Sequence, residues 1–274
     1  MKDVATIILN RNLPQITDDL YECILRNNSD LTDIYIVESG SDENKLSKYC
    51  SWWANWPEAV NNGLRFPRGF NYGLYKLWEN KIFFNYKYYF FVPNDSEFEN
   101  KSFLHILLEE MSRHTRVAIL SPCSASWGES KLLNHNETKY FWYINHIAWL
   151  VRREFIEDVM PKQDLTYLNF LYDGNNFRGY FSDLEVSIKG YSNDWASAIT
   201  NKVWAEENES HLLTKADLIK TETYDNNLKK LFKEGCEWIH SKYGFKSRWR
   251  MLMYAKFLYE QFFTFYPEFE KFKI

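Results

Sequence analysis

A chain of 274 residues in which 19% are aromatic can bury a large apolar core, and this composition excludes an intrinsically disordered protein. The formal net charge of −4 and the pI near 5.9 argue against a protein whose overall charge draws it to nucleic acid. The four cysteines stand far apart without a Cys-x-x-Cys pair, which disfavours a zinc site or a disulfide framework and is typical of a reducing compartment.

Targeting signals and membrane spans also bear on the class of protein. The first five residues lead straight into a strand-like run, which leaves no room for a signal peptide. No apolar segment approaches the ~20 residues that a membrane span needs. We therefore expect a soluble cytoplasmic protein, with peripheral contact at the inner face of a membrane left open.

The chain begins with the pattern of a strand, a helix and a strand. Residues 4–9 form a continuous apolar run, residues 16–25 carry apolar side chains at helical spacing, and residues 34–37 form a second apolar run. A βαβ unit of this kind predicts parallel strands joined by a right-handed crossover. Asn10 and Glu38, which follow the two strands, should therefore lie side by side at one edge of a sheet.

Two segments rich in aromatic residues come next. Residues 50–57 hold three tryptophans, whose rings either pack a small satellite core or stack on a base or a sugar. The sequence Arg-Gly-Phe-Asn-Tyr-Gly at 68–73 leads into a predicted helix at 74–78. Its glycines would let the backbone approach a ligand, and the amides of a helix start suit a phosphate. The spacing is not that of a dinucleotide fingerprint.

The stretch around which the chain is organised is the aromatic run at residues 88–93, followed at once by Asn94 and Asp95. The run predicts a buried strand, and ligands of open α/β sheets bind where such strands end. A carboxylate in that place suits a divalent cation. The alternative is that Asn94, Asp95 and Ser96 only form a turn.

Further strands and helices are predicted up to about residue 160. We predict a helix at 103–111, a strand at 117–120, one or two buried strands within 140–151, and a helix that starts near Phe155. His146 lies in the long apolar run and is interpreted as a hydrogen-bonded core histidine rather than a ligand.

The remainder of the chain holds two more helical regions. One helix is predicted to begin near Ser182 or Asp183, and the simplest interpretation of Asp183 is a helix cap. The acidic run at 206–209 is typical of a solvated face. Beyond about residue 224 the pattern is helical and rich in Lys, Arg and aromatic residues.

The order of these motifs resembles that of the family-2-type nucleotide-sugar glycosyltransferases with the GT-A fold, particularly the bacterial surface-polysaccharide and rhamnosyltransferase-like members. The likeness covers roughly residues 4–210 and rests on Asn-x-Asn-x-Pro, Val-Glu-Ser-Gly-Ser-Asp, Arg-Gly-Phe-Asn-Tyr-Gly, Pro-Asn-Asp-Ser-Glu-Phe, Arg-Arg-Glu and Ser-Asp-Leu-Glu-Val-Ser. Residues 237–244 also look like the family's Lys-Trp-Gly close to the C-terminus.

The resemblance implies an α/β protein with the Rossmann-like GT-A fold, in which helices flank a mostly parallel central sheet. The glycosyltransferase domain would span residues 1–215, with a nucleotide-binding half at about 1–100 and an acceptor half at about 101–215. Residues 216–274 would form a helical C-terminal extension. For this extension, a membrane surface, a homodimer interface and docking on its own domain are open alternatives.

The resemblance also implies roles for single residues. Glu38 stands where the family has an Asp that holds the uracil or ribose side of the nucleotide, Asp95 matches the carboxylate that meets the metal and the diphosphate, and Asp183 matches the general base. His211 is a candidate metal ligand, because Ala205 stands where the family often has a histidine. The remaining candidates for binding the nucleotide sugar are Asn10, Asn12, Ser39, Arg68, Asn71 and Asn94.

The reaction implied by the resemblance is transfer of a sugar from a nucleoside-diphosphate sugar to a hydroxyl of a glycan or lipid-linked acceptor. It would be assisted by Mn²⁺ or Mg²⁺ and would invert the anomeric carbon. Because Asn94 replaces an acid and Ser182 replaces a Glu, a catalytically inactive binding or assembly subunit remains an alternative. A nucleotidyltransferase is another, although the chain shows no Lys- and Gly-rich triphosphate loop near its first strand.

Overall fold

The computed structural model describes residues 2–99, 101–208 and 223–274. The strands are β1 (Val4–Asn10), β2 (Thr32–Glu38), β3 (Cys50–Trp53), β4 (Tyr88–Pro93), β5 (Ser96–Phe98), β6 (Val117–Cys123), β7 (Thr138–Tyr140), β8 (Trp149–Arg152) and β9 (Ala196–Glu207). The α-helices are α1 (Pro14–Asn28), α2 (Pro57–Asn62), α3 (Arg65–Glu79), α4 (Leu104–Arg113), α5 (Arg153–Val159), α6 (Ser182–Tyr191), α7 (Tyr224–Tyr243) and α8 (Arg248–Phe265).

The strands join in the order β3-β2-β1-β4-β8-β6-β9-β5, and β7 pairs with β9. The pairs β1–β2, β1–β4, β2–β3 and β6–β9 are parallel, whereas β8 runs antiparallel to both β4 and β6. The short strands β5 and β7 run antiparallel to β9. Four strand pairs are parallel and four are antiparallel among the described residues, and the strands β3-β2-β1-β4 form the purely parallel part. The predicted α/β fold with a sheet flanked by helices is therefore confirmed, with a sheet that is mixed rather than mostly parallel.

The sheet separates two apolar cores, which explains the continuous apolar runs. Along β4, Phe91 packs into one core with α3, whereas Phe90 and Val92 pack into the other with α1 and α4. The same alternation holds along β1. Both faces of these strands are covered, so neither set of side chains is polar.

The predicted helix start at the Arg-Gly-Phe-Asn-Tyr-Gly segment is wrong, because α3 begins at Arg65 and carries Gly69 and Gly73 in its interior. A Cβ at Gly69 would lie 2.4 Å from Leu9 of β1, and one at Gly73 would lie 2.8 Å from Ile7. The glycines therefore let the helix pack closely on the sheet. Their role is helix–strand packing, and the backbone amides here are not those of a helix start.

The tryptophans of the 50–57 segment pack against aromatic side chains. The Trp52 ring stacks on Tyr35 with centroids 4.9 Å apart, and Trp56 meets Tyr72 edge-on at 5.6 Å. The packing interpretation is therefore confirmed for these two rings.

The apolar run at 140–151 resolves into β7 and β8, with residues 141–148 in an irregular connection between them.

The two C-terminal helices pack on the body of the molecule. Trp238 and Ile239 of α7 and Met251 of α8 form a small core with Leu184 and Ile188 of α6. The predicted Lys-Trp-Gly-like segment contributes here, because Lys242 Nζ reaches Glu185 and Asp173 at 2.6 Å each, while Trp238 Nε1 donates to Asp173. The helices α7 and α8 therefore dock on the same chain, which is one of the alternatives left open for this segment. None of the helices in the described ranges is long and apolar enough to cross a lipid bilayer.

Candidate active site

The carboxyl ends of β1, β2 and β4 meet at one edge of the sheet. Asn10 is the register partner of Glu38, and Leu9 is the register partner of Pro93, which directly precedes Asn94. A line of hydrogen bonds joins the three strand ends, because Asn94 Nδ2 donates to Asn10 Oδ1 at 3.0 Å and Asn10 Nδ2 donates to Glu38 Oε2 at 2.9 Å. The prediction that Asn10 and Glu38 lie side by side is therefore confirmed.

Glu38 is fully buried, and its carboxylate accepts hydrogen bonds from the protein. Besides Asn10, the donors are the Ser41 hydroxyl at 2.5 Å and the Ser47 amide at 2.8 Å. A buried carboxylate needs such partners because desolvation of its charge is costly. Glu38 thus fixes the segment from 39 to 47 at the sheet edge. Its direct contact with a nucleotide stays a prediction.

Asn12 and Ser39 also lie at this edge. Asn12 has a left-handed backbone (φ 56°), and its Oδ1 accepts from the Asp42 amide at 2.8 Å. The Ser39 hydroxyl accepts from the Leu64 amide at 2.7 Å. Both side chains therefore hold turns that border the edge.

Arg68 and Asn71 lie within α3 and cross-link that helix to residues 171–174. Asn71 is fully buried; its Nδ2 donates to the Tyr172 carbonyl at 2.8 Å, and its Oδ1 accepts from the amides of Leu171 and Tyr172. Arg68 Nε donates to the Gly174 carbonyl at 2.8 Å, and its guanidinium pairs with Glu58. These contacts brace the segment that leads into α6.

Asp95 lies in the tight turn between β4 and β5, next to the end of β9. Its carbonyl accepts from the Asn208 amide at 2.8 Å, and the following residue, Ser96, is the register partner of Glu207. The antiparallel pairing of β5 with β9 therefore brings Glu207 beside Asp95. Glu207 is not among the residues that the sequence predicts for the site. It lies in a run of acidic residues, and only the long-range pairing of β9 with β5 distinguishes it from its neighbours.

Asp183 is the second residue of α6 and is held by two hydrogen bonds. Its Oδ2 accepts from the Tyr143 hydroxyl at 3.0 Å, and its Oδ1 accepts from the Leu184 amide at 2.9 Å. Burial raises the pKa of Asp183 from 3.8 to about 6, because desolvation opposes ionisation more than these hydrogen bonds favour it. The cap position of α6 belongs to Phe181 (φ 61°), so the simple cap interpretation of Asp183 is wrong.

A cavity of about 420 Å³ opens between α6, β9 and the connection from β7 to β8. The residues lining it are Phe66, Trp127, Asn145, His146, Gly179, Asp183 and Glu207. Asp183 and Glu207 thus face one space, and the turn that carries Asp95 adjoins it through Glu207. A further link is the Ser96 hydroxyl, which donates to the Ile147 carbonyl at 2.6 Å, next to His146.

His146 differs from the predicted hydrogen-bonded core histidine. Its ring contacts Phe66 and Trp149, each with centroids 4.5 Å apart, and both ring nitrogens are buried without a hydrogen-bond partner among the described residues. Burial lowers the pKa of His146 to about 3, so the imidazole is neutral at physiological pH. The aromatic surroundings explain both properties.

The donor set for a divalent cation consists of carboxylates near the strand ends. Within the described ranges there is no group of three or more His, Cys, Asp and Glu side chains able to hold a metal ion, and His211 lies outside those ranges. Asp95 and Glu207 supply carboxylates on adjacent segments. A hard cation that also takes phosphate oxygens needs only one or two protein carboxylates, and this pair fits that requirement.

The fold defined by this sheet and its strand-end site is the GT-A glycosyltransferase fold. A crystal structure of GalNAc-T7 with UDP, GalNAc and Mn²⁺ matches with a TM-score of 0.58 and 9% sequence identity, over 94% of this chain and 54% of that one. The chain therefore spans about half the length of the GalNAc-T7 structure.

A second similar structure is that of residues 1–349 of S. aureus TarS in complex with UDP-GlcNAc. It matches with a TM-score of 0.50 and 14% identity, over 88% of this chain and 74% of that one. No family model and no curated protein matches the sequence. At these identities, the likeness establishes the fold.

Proposed function

We propose that this protein is a glycosyltransferase that moves a sugar from a nucleoside-diphosphate sugar to a hydroxyl group of a glycan or lipid-linked acceptor. The observation that carries the proposal is that Asp183 and Glu207 line one cavity whose rim adjoins the Asp95 turn. The proposed base, Asp183, and the two carboxylates proposed for the phosphate side of the donor, Asp95 and Glu207, therefore flank a space large enough for a sugar. The UDP and UDP-GlcNAc bound to the two similar structures support this class of donor.

Asp183 is the general base of the proposed reaction. As the acceptor oxygen attacks the anomeric carbon, the hydroxyl proton passes to the Asp183 carboxylate. The bond from the anomeric carbon to the diphosphate oxygen breaks, and its electron pair leaves with the nucleoside diphosphate. Attack on the face opposite the leaving group inverts the anomeric carbon. A pKa of about 6 leaves Asp183 ionised at neutral pH and makes it a stronger base than an ordinary carboxylate.

Asp95 and Glu207 would hold a divalent cation, Mn²⁺ or Mg²⁺, on the phosphate side of the cavity. When bound, such a cation neutralises charge on the diphosphate. The Mn²⁺ in the GalNAc-T7 structure supports this proposal. The two carboxylates would orient the donor so that its anomeric carbon faces Asp183.

Aromatic and amide side chains would position the sugar. Phe66 and Trp127 present apolar surface to the cavity, and Asn145, whose Oδ1 accepts from the Tyr143 hydroxyl at 2.7 Å, presents an amide. Sugar rings pack their C–H faces on aromatic rings and direct hydroxyls to polar groups. The identity of the sugar, including the rhamnosyl group that the sequence resemblance suggests, stays a prediction.

Binding of a panel of nucleotides tests the proposed donor class. We expect UDP, GDP or dTDP to raise the thermal unfolding temperature, and the shift to grow when Mn²⁺ is added, because ligands that bind the native state stabilise it. A nucleoside triphosphate turned over with release of pyrophosphate would instead support a nucleotidyltransferase. Thermal stabilisation without any donor turnover, across the panel and with acceptors supplied, would support an inactive binding subunit.

A further inference from the structure

The helix α8 exposes large apolar side chains on the side opposite its buried face. Its inner face carries Met251, Ala255 and Tyr259, which are buried against the body of the protein. Its outer face exposes Trp249 (62% exposed) and Phe257 (56%), and Met253 (73%) lies between them at helical spacing. Residues four apart lie on one side of a helix, so these three form a continuous stripe. A surface helix of a globular protein normally carries polar residues on that side.

The part of the chain that carries the stripe is rich in positive charge. Between residues 229 and 256 the chain has eight lysines and arginines and two acidic residues, although the protein as a whole carries −4. Glu260, one turn beyond Phe257, is paired with Lys273 at 2.6 Å. On α8 itself, the Arg248 guanidinium lies over the Trp249 ring at 4.7 Å and donates to the Tyr180 hydroxyl at 3.4 Å. Lys256 Nζ lies 5.3 Å from the Trp142 ring centroid. These cations therefore border the exposed apolar stripe.

We propose that the outer face of α8 docks on the surface of an anionic phospholipid bilayer. Tryptophan, methionine and phenylalanine on one side of a helix enter the boundary between headgroups and acyl chains, and flanking lysines and arginines attract anionic headgroups. A homodimer through the same face is disfavoured, because an isologous interface would bring the basic rims of the two copies together. The positive charge near the stripe therefore favours a negatively charged surface as the binding partner of this face.

Docking in this way would place the membrane close to the candidate active site. The inner face of α8 packs on α6 through Met251 and Leu184, and Leu184 directly follows Asp183. The bilayer would then lie about one helix layer from the helix that carries the general base. A lipid-linked acceptor follows if the proposed function is correct, whereas the docking itself does not depend on sugar transfer.

Vesicle co-sedimentation of the full chain tests the proposal without donor or acceptor. We expect binding to vesicles of phosphatidylcholine with phosphatidylglycerol, weak binding to phosphatidylcholine alone, and loss of binding as salt is raised. The variant Trp249→Ser with Phe257→Ser should bind at least about tenfold more weakly. The variant Arg248→Gln with Arg250→Gln should lose roughly twentyfold and show a shallower salt dependence.

The matched control is Leu132→Ser, since Leu132 is 56% exposed, as Phe257 is, but lies far from α8 in the chain. It should keep full vesicle binding, and all variants should keep the unfolding temperature of the parent. Equal binding by the parent and by Trp249→Ser with Phe257→Ser would overturn the proposal. A concentration-dependent dimer that this double variant dissociates, together with no vesicle binding by the parent, would also overturn it and assign the face to a second copy.

Discussion

The hydroxyl of Tyr143 lies 3.0 Å from Oδ2 of Asp183 and donates a hydrogen bond to it. Tyr143 comes from the connection between β7 and β8, whereas Asp183 is the second residue of α6, so the contact fixes the carboxylate relative to the sheet. The bond favours the ionised carboxylate and opposes the larger effect of burial. The pKa of about 6 is the balance between burial, which raises it, and the hydrogen bonds from the Leu184 amide and the Tyr143 hydroxyl, which lower it.

The first prediction concerns the pH dependence of turnover. A general base must be ionised, so kcat/KM should fall as the pH drops below about 6. Tyr143→Phe removes a hydrogen bond to the charged form, raises the pKa of Asp183 and should move this acidic limb to higher pH. A pH profile of both proteins measures the shift. An unchanged limb in Tyr143→Phe would show that another group controls the profile.

The second prediction separates activity from stability at Asp183. Asp183→Asn should lower kcat by ~10²–10⁴-fold, because it removes the base, and should leave donor affinity nearly unchanged. Since the pKa is raised in the folded state, the ionised carboxylate costs stability above pH 6, and the native state binds more protons than the unfolded state between about pH 4 and 6.

Asp183→Asn should therefore be more stable than the parent at pH 8, by about 1–3 kcal/mol, and this gain should vanish below pH 4. Denaturant unfolding at the two pH values gives the comparison. A variant that is both inactive and less stable at pH 8 would mean that the carboxylate serves the fold rather than catalysis.

The third prediction concerns the carboxylates beside the strand ends. Asp95→Asn and Glu207→Gln should each weaken binding of UDP in the presence of Mn²⁺ and have a smaller effect in its absence, because both would hold the cation. Calorimetric titration measures the two affinities. Glu97→Gln is the control, since Glu97 lies in β5 between Ser96 and Phe98 and accepts from Asn208 Nδ2. An equal loss in all three variants would point to a general charge effect.

The fourth prediction tests the sheet edge through Gly40. This residue has a φ of 74°, and a Cβ added there would lie 1.8 Å from the Ala59 carbonyl oxygen. Gly40→Ala combines backbone strain with overpacking, so it should lower the free energy of unfolding by about 2–4 kcal/mol. Gly128→Ala is the matched control, because a Cβ at Gly128 meets nothing within 4 Å. Equal unfolding midpoints for the two variants would refute this local packing.

Local patterns in the sequence were sufficient to predict the first strands of the sheet. Apolar runs at β1, β2 and β4 indicate strands covered on both faces, and the βαβ pattern alone predicts that Asn10 and Glu38 lie side by side, as the structure has them. The start of α3 was predicted wrongly, because Gly69 and Gly73 have the pattern of a ligand-binding turn. In the structure these glycines let α3 pack closely against Leu9 and Ile7 of β1, and this contact between remote segments is not visible in the local sequence.

The rest of the candidate site depends on contacts between segments that are remote in the chain. Glu207 joins the cavity through the pairing of β9 with β5, which brings together residues more than one hundred positions apart. Nothing in the local sequence distinguishes it from Glu206, whose carboxylate binds the Ser124 hydroxyl and the Ala125 amide instead. The imidazole of His146, which has no hydrogen-bond partner in the part of the chain that the structure describes, is likewise a product of tertiary packing. The division at residue 215 stays a prediction.

The most direct test of sugar transfer is to measure nucleoside-diphosphate release from a panel of nucleotide sugars, with Mn²⁺ and a mixture of glycan and lipid-linked acceptors, for the parent and for Asp183→Asn. The account predicts that the parent releases the nucleoside diphosphate from at least one donor and forms a glycosylated product, while Asp183→Asn binds that donor and releases almost none. Release at the same rate by both proteins, or no donor bound by either, would contradict it.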